Sequence, residues 1–363
     1  MAHFKWVEKY DVKAKRFLNF LKEEVVDNLT AYPFNADAGE TAENNVWTVQ
    51  SSETDTDGNI TSIIFKRGVA DGQVGKVFYV KFFNETLASD STYATFSVQV
   101  LENYNEGTST FGNAGPVAKY QCANESIANT ERSKESALHV FLNITNKRLA
   151  MVIVADPVVN FNDYRKSFMY AGEIVTFEGN VDDIDGNVLL TAGCVNVEPT
   201  MAQLQSKTPS EYFGVYTSPG NNTFQMLGTK SGVRFQKHYP AFITQAPKPG
   251  NAFVDSVLGD TGLELEAQGY QASRWTDKYH LSPIYVAHPY EGYRGHLFDC
   301  ISVIRHNILH MDKLIIDVDV CKYPDKKWKQ EVFRYFDINT EQNFYKLSPN
   351  QGTAVALLAE VRY

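Results

Sequence analysis

Apolar positions change their spacing early in the chain. Tyr10, Ala14, Phe17, Leu18, Leu21, Val25 and Leu29 recur at steps of three and four, with Lys13, Lys15, Lys22, Glu23 and Glu24 between them. Such spacing puts the apolar side chains on one face of a helix and the charges on the other. The pattern therefore predicts an amphipathic N-terminal helix within residues 1–30, stopped after Asp27 and Asn28 and in any case by Pro33. Its apolar stripe is expected to pack on the protein's own core rather than on another subunit.

Beyond this segment the period falls to two. Val46, Thr48 and Gln50 alternate with Trp47 and Val49, and residues 60–66 follow after Asp55-Thr56-Asp57-Gly58-Asn59. Alternation on either side of an Asp-Gly turn is the signature of a β-hairpin. Aromatic and β-branched residues predict further strands over 76–83 and 93–101. A second hairpin joins 138–145 to 149–155 through Asn146, Lys147 and Arg148, and 167–177 reads as another strand. The stretch from Asn103 to Pro116, rich in Gly, Asn and Ser, reads as a loop.

Asp183-Ile184-Asp185-Gly186-Asn187 repeats the chemistry of the first hairpin turn, but five residues do not establish an internal duplication. From Glu198 to Gly269 the pattern is irregular and broken by prolines, with a short helix expected at Pro199 and Thr200. Strand patterns return over 282–287, 297–304, 313–320, 329–337 and 353–363. The fold class expected is mainly β. It consists of β-sandwich or barrel-like domains with few helices besides the first: residues 1–30 as the helix, 31–180 as a β-rich domain, and 181–363 as a second β-rich domain with long loops. One elaborated sandwich is the alternative.

Composition sharpens this picture. Aromatic residues make up 13% of the 363 and charged residues only 21%, a balance suited to a packed core and unlike that of a disordered chain. A net charge of −9 opposes a general grip on nucleic-acid phosphates. The charged N-terminal residues do not form a signal-peptide apolar region, and no apolar run approaches the ~20 residues of a membrane-spanning helix. Neither export by that route nor membrane insertion is expected. Cys122, Cys194, Cys300 and Cys321 form no C-x-x-C pair and are expected to be reduced and buried.

Candidate chemistry adds little. Counting Gly58 or Gly186 as the sixth position of a calcium loop places Ile64 or Ala192 where a bidentate Glu is needed, so both segments read as turns. His296 with Cys300, and His306 with His310, have spacings that would share a helical face, but the Glu of H-E-x-x-H is absent and the surroundings are apolar. Gly228-Thr229-Lys230-Ser231-Gly232 has a phosphate loop's letters in the wrong order, and the glycines from Gly107 to Gly115 lack a βαβ context. Glu173, Asp182, Asp183 and Asp185 are carboxylates of the kind a glycosidase pairs across a cleft, a separation that sequence does not show. No catalytic residue, cofactor, metal or small-molecule substrate is therefore expected.

Aromatic residues concentrate between Tyr285 and Tyr293, beside Pro289, Gly292 and Gly295. Core packing is the commonest use of such residues, yet Tyr and Arg are also enriched at interface hot spots. Tyr290, Tyr293 and Arg294 are the candidate interface residues, with Arg294 able to pair with a carboxylate in its own fold or across a subunit boundary.

Two stretches resemble virion structural proteins of tailed bacteriophages. The first runs from Asn143-Ile144-Thr145-Asn146-Lys147-Arg148-Leu149-Ala150 on to Tyr164-Arg165-Lys166-Ser167-Phe168-Met169-Tyr170-Ala171-Gly172, and the second is Glu291-Gly292-Tyr293-Arg294-Gly295-His296-Leu297. Together they cover a minor part of the chain, and neither is a catalytic motif. The resemblance implies a non-enzymatic component of the tail, baseplate or head-to-tail connector, made in the bacterial cytoplasm and resident in the virion. Its partners would be other virion structural proteins and further copies of itself, in a symmetric homo-oligomer. Exposed Tyr and Trp beside acidic residues would instead favour a host-recognition or carbohydrate-binding module, and a carboxylate pair or metal site would favour a cell-wall-degrading enzyme.

Overall fold

The computed structural model describes residues 4–28, 47–67, 78–84, 95–105, 107–108, 110–114, 118–121, 137–155, 166–173, 175–176, 187–192, 196–197, 225–229, 242–244, 280–288, 292–305, 313–318, 329–337 and 352–362. Strand β1 (Lys5–Lys13) leads through a short helical segment containing α1 (Phe17–Lys22) to β2 (Trp47–Thr54), β3 (Ile60–Arg67), β4 (Phe78–Asn84), β5 (Thr95–Asn105), β6 (Thr110–Ala114) and β7 (Ala118–Gln121). Then come β8 (Ala137–Ile144), β9 (Arg148–Ala155), β10 (Lys166–Glu173), β11 (Val175–Thr176), β12 (Asn187–Ala192), β13 (Asn196–Val197), β14 (Gln225–Thr229) and β15 (Phe242–Thr244). The last five are β16 (His280–His288), β17 (Gly292–Arg305), β18 (Lys313–Val318), β19 (Lys329–Asp337) and β20 (Gly352–Arg362). The protein is mainly β, with antiparallel pairing and one short N-terminal helix.

Two sheets hold these strands. One runs β1-β8-β9-β10-β12-β14-β15-β16-β17-β20-β19-β18, with β11 added beside β17, and the other runs β13-β7-β5-β4-β3-β2, with β6 beside β5. The β8–β9–β10 meander is buried on both faces, and strand alternation sorts its side chains. Val140, Leu142, Ile144, Leu149, Met151, Ile153, Met169 and Ala171 join an apolar cluster with Phe17, Leu18 and Leu21 of α1 and with Trp47, Ile63, Phe65, Val80, Phe82, Phe96 and Val98 of the smaller sheet. Rings interlock across it, Phe17 with Phe96 at 4.7 Å and Phe65 with Phe82 at 5.7 Å between centroids. Each large apolar side chain so buried contributes about 1.5–3 kcal/mol.

The opposite face of the meander carries Phe141, Asn143, Arg148, Ala150, Val152, Phe168 and Tyr170, all buried. Over it lie β17, β19 and β20 of the same long sheet. Phe336 of β19 packs on Phe141 at 4.7 Å between centroids, and the Asn143 amide donates to the carbonyl of Leu358 in β20 at 2.6 Å. The C-terminal strand β20 pairs with both β17 and β19, so the closing run of the chain completes a sheet as its pattern indicates.

The N-terminus departs from the sequence expectation. Residues 5–13 form strand β1 on β8, and the helical segment begins only at Ala14, as a 3₁₀ turn, six α-helical residues and a π-helical turn ending at Asp27. A β-bulge interrupts the two-residue period of this strand. Register shifts between Lys9 and Val12, and Asp11 adopts a left-handed φ of 60°. The extra residue reverses the alternation, so that Val12 falls on the same core-facing side as Val7. Of the helix-like series only Tyr10 lies in β1, and it is exposed, while Ala14, Phe17, Leu18, Leu21 and Val25 form the buried face of the helical segment.

The hairpins β2–β3 and β8–β9 form with the turns expected of them. Asp55 closes the first, accepting from the backbone N–H of Asp57 at 2.9 Å and of Asn59 at 2.8 Å and from the Asn59 amide at 3.0 Å. These bonds hold the Asp55 carboxyl below the usual carboxylate range. Asn19 of α1 fastens helix to hairpin, accepting from Ile60 N–H at 2.9 Å and donating to Gly58 C=O at 3.3 Å. The expected loop after Asn103 is instead largely a hairpin, β5 folding back on β6 around Gly107, whose N–H donates to the Asn105 side chain at 2.9 Å. The expected division at 180 and the short helix at Pro199 and Thr200 lie outside the described residues.

Candidate functional site

The densest polar constellation gathers at the turn between β8 and β9. Thr145 closes that turn: its N–H donates to the Arg148 carbonyl at 2.9 Å, and its hydroxyl accepts from the N–H groups of Lys147 and Arg148 at 3.1 and 3.2 Å. Thr145, Asn146 and Arg148 of this turn are buried, so its remaining carbonyls need partners from other elements. The indole of Trp47 in β2 donates to Thr145 C=O at 2.9 Å. Lys147 C=O accepts from Glu173 N–H at 3.0 Å and from the Arg67 guanidinium of β3 at 3.4 Å. Both sheets are thus tied to the carbonyls of Thr145 and Lys147.

Arg148 extends the junction to the opposite face. Its side chain is 2% exposed and pairs through Nη2 with the carboxylate of Asp299 in β17, while the same nitrogen donates to Asn143 Oδ1 at 3.2 Å. Its guanidinium carbon stands 5.5 Å from the ring centroid of Phe298. Nε and Nη1 have no hydrogen-bond partner among the described residues. Because Asn143 also donates to Leu358, one amide joins β8, β9 and β20.

β17 reaches this point by bulging. Pro283 of β16 pairs with Ile301, and Tyr285 with His296, leaving 297–300 without partners in β16, although Cys300 still pairs with Leu357 of β20, and Asp299 has a φ of 52°. A bulge re-aims side chains; here it directs Asp299 to Arg148, while Phe298 N–H donates to the Tyr170 hydroxyl at 3.4 Å. That hydroxyl donates in turn to the Glu173 carbonyl. Opposite Arg148 in the ladder sits Gly172, at a φ of 130°, where a Cβ would meet the Lys147 carbonyl oxygen at 2.3 Å and Arg148 Cα at 2.6 Å. Only glycine lets β10 approach the turn so closely.

Two groups beside the ion pair are held neutral. Burial pushes the Tyr170 phenol and the Cys300 thiol well above their ordinary values, against the opposing effect of Arg148 on each. At neutral pH the junction therefore offers an ion pair flanked by a neutral phenol and a neutral thiol. What the arrangement supplies is cohesion between layers.

The residues singled out in the sequence fall unevenly. Tyr290 lies outside the described residues. Tyr293 and Arg294 belong to β17, where Tyr293 pairs with Ala287 and Arg294 is the extra residue of a second bulge; their side chains are likewise outside the description. His296 and Cys300 lie on a bulged strand rather than a helix, with the His296 ring 3.0 Å from Leu297 C=O. His306, His310, Cys122, Cys194, Cys321, Asp182, Asp183 and Asp185 are outside the described residues. Among those described, no group of three or more His, Cys, Asp or Glu side chains is placed to hold a metal ion, and no helix is long and apolar enough to cross a membrane.

Asp299 and Asn143 were not picked out for chemistry from the sequence. The available signal was a charge or amide set among residues destined for burial: Arg148 before a run of seven apolar residues, and Asp299 between Phe298 and Cys300. Such groups need partners. The chain matches no protein-family model, no curated protein and no solved structure.

Proposed function

We propose that this protein is a structural component of a bacteriophage particle, in the tail, baseplate or head-to-tail connector, acting through protein–protein contacts in a symmetric homo-oligomer. One observation carries the reading. The first of the stretches that resemble virion proteins supplies Asn143, Arg148 and Gly172 of the junction, and the second ends at Leu297, one residue before the Phe298–Asp299 segment that meets them. In this chain the first stretch, together with Phe298 and Asp299, builds a buried lock between layers. A rigid lock of this kind serves a load-bearing building block, which must present fixed surfaces to its neighbours.

The finer architecture inferred is a layered β-sandwich. The apolar cluster to which both sheets and α1 contribute supports it. The protein's partners are other virion structural proteins, and it resides in the virion after synthesis in the bacterial cytoplasm. Light scattering of the purified protein across concentration, followed by negative-stain imaging, tests the assembly. Rings, stacks or a defined oligomer support it. A monomer at every concentration that also fails to join its neighbouring virion proteins contradicts it.

A further inference from the structure

The only large apolar side chain that is prominently exposed among the described residues is Tyr10, at 48%. It is also immobilised. Its ring stands edge-to-face with His139 at 4.9 Å and with Phe141 at 6.0 Å between centroids, and its hydroxyl donates to the carboxylate of Glu8. Glu8 is held from the other side by Arg334 of β19 at 2.9 Å, and Arg334 lies over Phe141 at 5.5 Å. Trp6 joins the same cluster, 6.4 Å from Phe141 between centroids. Asp11, with its side chain 80% exposed, lies 3.7 Å from His139 Nε2 and projects from the bulge beside the ring.

Exposed tyrosines on a protein surface commonly move among rotamers. Here two rings, one ion pair and one hydrogen bond hold the aromatic ring before anything binds, which lowers the ordering cost of using it as a platform. β1 closes one end of the long sheet. Its exposed Lys9, its bulge and the left-handed Asp11 are features that disfavour addition of another strand to an edge. What the patch offers is a presented ring flanked by the carboxylates of Glu8 and Asp11 and the guanidinium of Arg334. An aromatic face stacks on the C–H face of a sugar ring while carboxylate and guanidinium exchange hydrogen bonds with its hydroxyls. The carboxylates beside the ring oppose an anionic ligand.

We infer that the surface around Tyr10, Glu8, Asp11, His139 and Arg334 is a shallow subsite for a neutral oligosaccharide. It stands independently of the assembly reading, since it rests on this patch and not on the Arg148 junction.

Titration calorimetry of the full chain with chitohexaose and with cellohexaose, alongside Tyr10→Ala, Tyr10→Trp and Asp11→Asn, tests the inference. At least one of the two sugars binds saturably, Tyr10→Ala weakens binding by about tenfold or more, and Tyr10→Trp retains it. Asp11→Asn keeps a side chain that tolerates a left-handed backbone and weakens binding through the lost charge alone. Unchanged melting temperatures establish that the variants remain folded. Absence of saturable binding to both sugars overturns the inference, as does equal binding by Tyr10→Ala. A Tyr10→Ala variant that binds no less sugar but loses oligomer mass also overturns it, and assigns the patch to a contact between protein chains.

Discussion

The guanidinium of Arg148 pairs with the carboxylate of Asp299, 151 residues further along the chain, at a point where Arg148 is 2% exposed. This pair spans the β8–β10 meander and the β17 bulge laid over it. Removing one member of a buried pair strands the other charge away from water. Arg148→Met or Asp299→Asn is therefore expected to lower unfolding free energy by about 3–5 kcal/mol, read as a shift in urea midpoint at constant slope. The double variant should be less destabilised than the two single effects predict, because it leaves no stranded charge. Additive effects would show that the two residues do not act as a pair.

Gly172 and Gly58 both have positive φ, at 130° and 79°, yet their surroundings differ. A Cβ at Gly172 would meet backbone atoms of Lys147 and Arg148, whereas nothing lies within 4 Å of one at Gly58. Gly58→Ala should cost only about 1 kcal/mol of left-handed strain. Gly172→Ala should cost about 3 kcal/mol or more, since backbone must shift as well. Thermal melts of the two variants side by side check the order; equal melting temperatures would contradict the close approach of β10 to the turn.

Much of the sheet was legible because its signals are local. Asn146-Lys147-Arg148 between two apolar runs, and Asp55 to Asn59 between two alternating ones, each marked a turn that the structure contains. The β1 strand was not legible, because the bulge at Asp11 moves Val12 onto the core face and breaks the two-residue period within nine residues. The junction was legible only in pieces. Its members are brought together by register between distant strands, and the alignment of Asp299 with Arg148 depends on a bulge whose size is set by how β16, β17 and β20 pair.

Alkaline pH should weaken the fold in a particular window. Burial holds the Tyr170 phenol and the Cys300 thiol protonated above their ordinary values. Below pH about 8 both groups are neutral whether the chain is folded or not, so neither makes stability pH-dependent. As pH passes about 8.5 for a thiol and about 10 for a phenol, the unfolded chain releases protons that the folded chain keeps, and stability falls as pH rises. Urea midpoints measured from pH 7 to pH 11 should be flat at first and then decline. Cys300→Ala should remove the earlier part of the decline. A thiol reagent at pH 8 should leave Cys300 unmodified until denaturant is added.

Asn19 joins α1 to the β2–β3 hairpin by accepting from Ile60 N–H and donating to Gly58 C=O. Asn19→Ala removes both bonds in a partly exposed setting, so the expected cost is about 1–2 kcal/mol. Hydrogen exchange at the Ile60 amide should accelerate more than exchange within β9. Unchanged protection at Ile60 would show that the helix is not fastened to the hairpin through this side chain.

The proposed role is tested most directly by finding the protein in its particle. Phage particles carrying this gene, purified by density gradient, would be analysed by quantitative mass spectrometry and labelled with antibody for electron microscopy. The account predicts the chain as a stoichiometric component, with label confined to the tail, baseplate or connector. Recovery of the chain only from the soluble fraction of infected cells, with none in the particles, would contradict it.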